Sequence, residues 1–168
     1  MVRKAMPRFA VPSDATQLAR LRWLSRDANE HVPYSIDEFS RRFSSWLVDA
    51  LASGTWHAVV ASANESSVVG CMYLQCSNTV PVPGNLNRRW GYVTHAFVES
   101  AYRNRGLGRE MLDLLIARAR SLDLHELHVW PSVPAVMLHT RAGFLSPERL
   151  RALPDPDEPS CVLPLGPR

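Results

Sequence analysis

Apolar residues fall at helical spacing through the first fifty positions and at alternating or continuous spacing through the next fifty. Ala15, Leu18, Leu21 and Leu24 form a one-sided stripe that Ser13 or Asp14 is placed to cap, Asp14 with Gln17 having the spacing of a capping box. Arg20, Arg22 and Arg26 lie off that stripe and read as a solvated face. Residues 27–33 break the helix. Ser35 and Glu38 form a second capping box, opening a helix to about Ala52. Its stripe of Phe39, Phe43, Trp46, Leu47, Ala50 and Leu51 reads as core, and Gly54 ends it.

Residues 55–62 and 68–77 are strand-like and separated by the polar turn 63–67, so they predict an antiparallel hairpin. An edge strand at 8–12 is expected, limited by Pro7 and Pro12. Residues 77–89, with two prolines and a glycine, read as a loop, and Trp90 opens the next strand. Strand 92–98 runs into a helix over 108–121, whose Met111, Leu112, Leu115 and Ala119 share a face. A strand at 124–130, a short helix from Ala135 to Gly143 and a closing edge strand at 161–165 complete the pattern. The order predicts a single α/β domain over 1–168 with a mixed sheet.

Composition narrows the class. A 168-residue chain that is 46% hydrophobic and 21% charged suits one soluble globular domain. Its net charge of +3 comes without a dense basic run, so no nucleic-acid partner is expected. Cys71, Cys76 and Cys161 lack CxxC spacing and suit a reducing compartment. No membrane-length run or leader pattern is visible, so the expected location is cytoplasmic. His125 and His128 are three apart with no carboxylate or thiol at ligand spacing, and no metal is expected.

The candidate chemistry lies between strand 92–98 and helix 108–121. Arg103-Asn104-Arg105-Gly106-Leu107-Gly108 puts two glycines at the turn, where the first helical N–H groups are unpaired and the helix dipole is positive. Arg103, Arg105 and Arg109 flank it, so the stretch reads as a phosphate site; a tight β–α turn with solvated arginines has the same spacing. A dinucleotide fingerprint is excluded because Met111 stands where its third glycine belongs. A Walker loop is excluded because Lys4 is the chain's single lysine.

Arg103-x-x-Gly106-x-Gly108 after a strand resembles the acetyl-CoA motif of the GNAT superfamily of N-acetyltransferases. Residues 135–144, a short helix closed by Gly143-Phe144, resemble that superfamily's next motif. The resemblance implies a mostly antiparallel sheet in which two parallel strands, here 92–98 and 124–130, splay to admit acetyl-CoA. It implies that Phe97 and Val98 pair with pantetheine and that Arg103, Asn104, Arg105, Gly106, Leu107 and Gly108 hold the pyrophosphate. Arg105 or Arg109 would add charge, and Ser132 and Ala135 would border the pantetheine arm. The implied reaction is direct acetyl transfer to an amine of a small molecule or protein in a ternary complex; relatives are often dimers, so a homodimer is a further expectation.

Two departures stand out against the family pattern. Its central strand often carries a Glu or His base where this chain has Tyr92 and Thr94, so Tyr92 is a weak catalytic candidate. His95 is on the same strand, but simple alternation sends it to the opposite face. Glu99, Glu30, His31 and Tyr34 are further polar candidates, more often surface residues than catalysts. The family's tyrosine four residues before the glycine is His139 here, a candidate acid toward the leaving thiolate if its pKa is raised, or a neutral N–H donor. Ser132 stands where relatives often have asparagine. A non-catalytic acyl-CoA-binding module is the competing expectation.

Overall fold

The computed structural model describes residues 4–27, 29, 31–64, 67–81, 83–145 and 161–165. The elements are β1 (Met6–Phe9), α1 (Ala15–Leu24), α2 (Ile36–Ala52), β2 (Trp56–Asn64), β3 (Ser67–Asn78) and β4 (Arg89–Val98). Then follow α3 (Leu107–Ser121), β5 (Glu126–Val129), α4 (Val136–Arg141) and β6 (Cys161–Pro164). Six strands form one sheet in chain order, β1 to β6. Every neighbouring pair is antiparallel except β4 and β5, which run parallel. The expected mixed, mostly antiparallel sheet is present, and β6 occupies an edge as Pro164 suggested. Residues 146–160 of the proline-rich tail lie outside the described residues.

Each face of the sheet has its own core. On one side Met111, Leu112 and Leu115 of α3 pack on Val59, Met72, Leu74 and Val93. On the other, Leu18 and Leu21 of α1 and Leu47 of α2 cover Val60, Cys71 and Tyr73. Most of each stripe read from the sequence faces the sheet, because only one side of each helix meets it, but Leu24 at the end of α1 and Trp46 of α2 are exposed. Gly91 lets this happen near the start of β4: a Cβ there would lie 2.6 Å from both Leu74 Cδ1 and Leu127 Cδ2. No helix among the described residues is long and apolar enough to cross a membrane.

Helix starts differ in one instructive case. Ser35 caps α2 as expected, its Oγ accepting from Glu38 N at 3.2 Å. Asp14 does not cap α1. A short 3-10 turn over Pro12–Asp14 precedes the helix, and the Asp14 carboxylate turns back to accept from Val11 N at 2.8 Å. Arg8 of β1 donates to both its oxygens, at 2.7 and 2.8 Å. Gln17, the other half of the expected box, accepts from Arg20 Nε instead. Arg20 is also not a solvated face residue: it spans from α1 to Glu99 and to the Val68 carbonyl, at 2.7 Å each.

Candidate active site

The parallel pairing of β4 with β5 is short. Trp90, Gly91, Tyr92 and Val93 pair with Glu126, Leu127, His128 and Val129, and there it stops. Beyond it β4 continues to Val98 against β3 alone, while the other chain departs through Trp130, Pro131 and Ser132. A proline at 131 has no N–H to extend a ladder. The two strands thus part in a V, leaving one edge of 94–98 without a strand neighbour.

Two adjoining cavities fill the V and share Ala96, Phe97, Ser132 and Ala135. The outer one, about 430 Å³, reaches from Phe97 and Val98 to Arg103, Asn104, Gly106 and Gly108. The inner one, about 320 Å³, is walled by Thr94, His95, Trp130 and His139, with Ser25 entering from the end of α1. Together they join a sheet edge to a helix N-terminus.

That N-terminus combines a left-handed glycine with unpaired amides. Gly106 adopts φ +83°, a conformation costly for other residues, and Asn104 precedes it at φ +59°. The first bond inside α3 is Glu110 N to Gly106 O at 3.0 Å, so the amides of Leu107, Gly108 and Arg109 have no acceptor in the helix. The helix begins at Leu107, one residue before the expected Gly108. The arginines divide. Arg103 borders the cavity, its Nε donating to the Val98 carbonyl at 2.7 Å, which occupies one group expected to meet pantetheine. Arg109 is drawn along the helix to Asp113 and across to the Arg141 carbonyl, and Arg105 lies over the Tyr102 ring; neither borders the cavities.

His95 faces the cavity for a reason no alternation rule reports. Cys71 pairs with Phe97 and Tyr73 with Thr94, so Met72 of β3 stands opposite both His95 and Ala96 of β4. The extra residue is a β-bulge, with His95 at φ +52°. It resets the parity, placing the imidazole on the Tyr73 side, 5.8 Å from that ring and parallel to Phe97. The expected opposite-face placement of His95 is thereby overturned. Arg22 Nη1 lies 2.8 Å from His95 Nδ1. A guanidinium can only donate, so Nδ1 accepts and Nε2 carries the proton, facing Ser25 Oγ at 3.5 Å. Burial, and then the Arg22 charge, push the His95 pKa down to about 4, leaving a neutral N–H donor on the cavity wall.

His139 is the complementary case. It is 1% exposed, its ring edge-on to Phe144. Nδ1 donates to the Ala135 carbonyl at 2.9 Å, leaving Nε2 as a buried lone pair with no partner among the described residues. Burial lowers its pKa, outweighing the Ala135 carbonyl, which acts the other way. The sequence-level role of resting acid required the opposite shift. Tyr92 packs edge-on against Trp130, 4.8 Å between centroids, and borders neither cavity. Glu99 is held by Arg20. Glu30 lies outside the described residues.

Residues 16–144 match the profile of the acetyltransferase (GNAT) family. The chain belongs to that family. Solved structures agree in fold with this GNAT protein across most of its length. A predicted acetyltransferase from Clostridium acetobutylicum, solved with acetyl-CoA, is 20% identical with a TM-score of 0.69, over 84% of this chain and 90% of that one. A GNAT family N-acetyltransferase from Escherichia coli in complex with CoA is 19% identical with a TM-score of 0.68, over 99% and 84%. Glucosamine-6-phosphate N-acetyltransferase from Arabidopsis thaliana is 16% identical with a TM-score of 0.64, over 83% and 90%. No curated protein sequence matches the chain.

Proposed function

We propose that this GNAT protein is an N-acetyltransferase that moves acetyl from acetyl-CoA to an amine by direct transfer in a ternary complex. The observation that carries the reading is the V between β4 and β5, continuous with the free amides at the start of α3. Two of the solved structures of this fold hold acetyl-CoA or CoA, which supports the same donor here.

The residues present fit that donor. Unpaired amides at Leu107, Gly108 and Arg109 suit a diphosphate, with Arg103 and Asn104 at the rim. Gly108 leaves approach open, since a Cβ there would meet only Leu138, at 3.5 Å. The free edge of 94–98 suits an extended amide-bearing arm as an added strand, with Ser132 and Ala135 opposite. When bound, the donor supplies the acetyl group and a thiol leaving group.

The chain's own part in the reaction is placement and proton handling. Main-chain N–H groups beside Phe97, with the His95 Nε2–H, offer donors for a developing oxyanion. Transfer moves one proton from the amine to the sulfur. His139 borders the inner cavity and its buried Nε2 has no partner among the described residues, so it is the group assigned to accept that proton from nitrogen and release it to the thiolate. A lowered pKa suits such a relay, because the proton is held only in passing.

Among the described residues bordering the two cavities there is no carboxylate. That observation favours one second reading, a non-catalytic acyl-CoA-binding module. Calorimetry with CoA, followed by thiol release from acetyl-CoA across a panel of amines, tests both. Absence of CoA uptake overturns both readings; uptake without thiol release from any amine leaves the binding module.

A further inference from the structure

Five described arginines have acidic partners. Arg8, Arg20, Arg42, Arg88 and Arg109 each lie against a carboxylate. Arg22 and Arg26, one turn apart on α1 and its C-terminal end, do not. They border a third cavity of about 190 Å³ whose other described walls are Trp23, Val32, Tyr34 and Phe39, with no acidic residue among the described residues lining it. Arg26 lies over the Trp23 ring at 4.5 Å and donates only to the Asp27 carbonyl; its buried Nε has no acceptor among the described residues. Among the described acidic groups, Asp27 Oδ1 accepts from Asn29 N, Glu99 from Arg20 and Glu38 from Arg42.

This cavity is joined to the acetyl-transfer cavity through one side-chain pair. Arg22 borders the third cavity and donates to His95, which borders the inner one. Ser25 Oγ, also on the inner cavity, donates to the Arg22 carbonyl at 2.8 Å. The third cavity, with its two guanidinium groups and aromatic wall, thus lies one hydrogen-bonded side-chain pair away from the inner one.

We infer that the acceptor is an amine carrying a carboxylate or phosphate, anchored by Arg22 and Arg26, and not a polycation. The inference rests on the transferase reading. Guanidinium groups bind such anions through paired, charge-assisted hydrogen bonds, whereas a polyamine would meet two like charges. The same positive charge also serves the chemistry. It lowers the pKa of a nearby amine, so more of it enters neutral, in a site whose described lining supplies no carboxylate base. Trp23, Tyr34 and Phe39 give the anion-bearing body an apolar surface.

Two experiments on the full chain test this. Calorimetric titration with CoA decides the underlying reading alone. Thiol release at saturating acetyl-CoA is then compared within two pairs, L-phenylalanine against L-phenylalaninamide and glucosamine 6-phosphate against glucosamine, with spermidine as the polycation. The first pair tests a carboxylate, the second a phosphate. In at least one pair the anionic member is expected to show a kcat/KM roughly tenfold or more above its neutral counterpart. Arg26→Gln should erase most of that advantage through KM. Preference for the neutral members or for spermidine, or an unchanged ratio in Arg26→Gln, overturns the inference and leaves the transferase reading standing. If CoA binds but no amine reacts, the CoA complex is titrated with N-acetylphenylalanine, its amide, N-acetylglucosamine 6-phosphate and N-acetylglucosamine. Anion-selective binding lost in Arg26→Gln supports the inference, and its absence overturns it.

Discussion

Arg22 holds His95 by a 2.8 Å bond from Nη1 to Nδ1, so a residue of α1 fixes the tautomer of a residue in the β4 bulge. The ring is thereby kept neutral and its Nε2–H turned to the cleft.

This pair makes stability depend on pH in a definable direction. The folded His95 pKa, about 4, lies below its ordinary value of 6.5, so the unfolded chain binds more protons between them. The contribution is full above pH 6.5 and is lost as pH falls toward 4. His57 and His139 are shifted in the same direction. Urea unfolding at pH 7 and pH 4.5 should show wild type losing roughly 2 kcal/mol more than His95→Asn, whose residue tolerates the positive φ. Equal losses would detach the pH response from His95.

His139→Phe keeps a ring against Phe144 but removes the Nε2 lone pair. Acetyl transfer should slow about tenfold, with CoA affinity within a factor of about two. Stopped-flow thiol release and calorimetry measure the two separately. Unchanged turnover removes His139 from the proton path.

Gly106 and Gly108 should answer to alanine in opposite ways. Gly106→Ala forces a Cβ into φ +83° and should cost about 1 kcal/mol, with weaker CoA binding. Gly108→Ala meets only Leu138 at 3.5 Å and gains helix propensity, so stability should hold or rise by about 0.5 kcal/mol with CoA binding retained. Denaturant titration of both, each with a CoA isotherm, checks the contrast.

Asp14→Ala should destabilise by about 2 kcal/mol, since it strands Arg8 and the Val11 amide together. Burial raises the Asp14 pKa, but the Arg8 and Val11 bonds outweigh it and hold the carboxyl below its ordinary value. Its contribution is therefore present above pH 3.8 and fades as pH falls through the folded pKa. A thermal midpoint unchanged at pH 7 would contradict the assignment.

The sequence disclosed whatever follows from short-range periodicity. The stripes of α1, α2 and α3, the β2–β3 hairpin and the glycine turn before α3 all lie within one element or between chain neighbours, where local spacing sets which side chains face together. It could not disclose the β4 bulge, because an inserted residue is visible only against the register of β3. For the same reason Arg20, Arg22 and Arg26 looked alike on one helix, although their partners are Glu99, His95 and the Trp23 ring. Asp14 has the spacing of a cap, and only the proximity of Arg8 in β1 turns its carboxylate away. His139 was visible as a substitution, but its protonation depends on burial and the Ala135 carbonyl.

The abrupt end of the β4–β5 pairing at Val93 and Val129 has a mechanical consequence. The β5–β6 ribbon joins the rest of the sheet along a seam only as long as those few bonded residues, and a donor lying in the V would lengthen it. Substrate would then act as mortar, and amide exchange in β5 and β6 should slow when CoA is present.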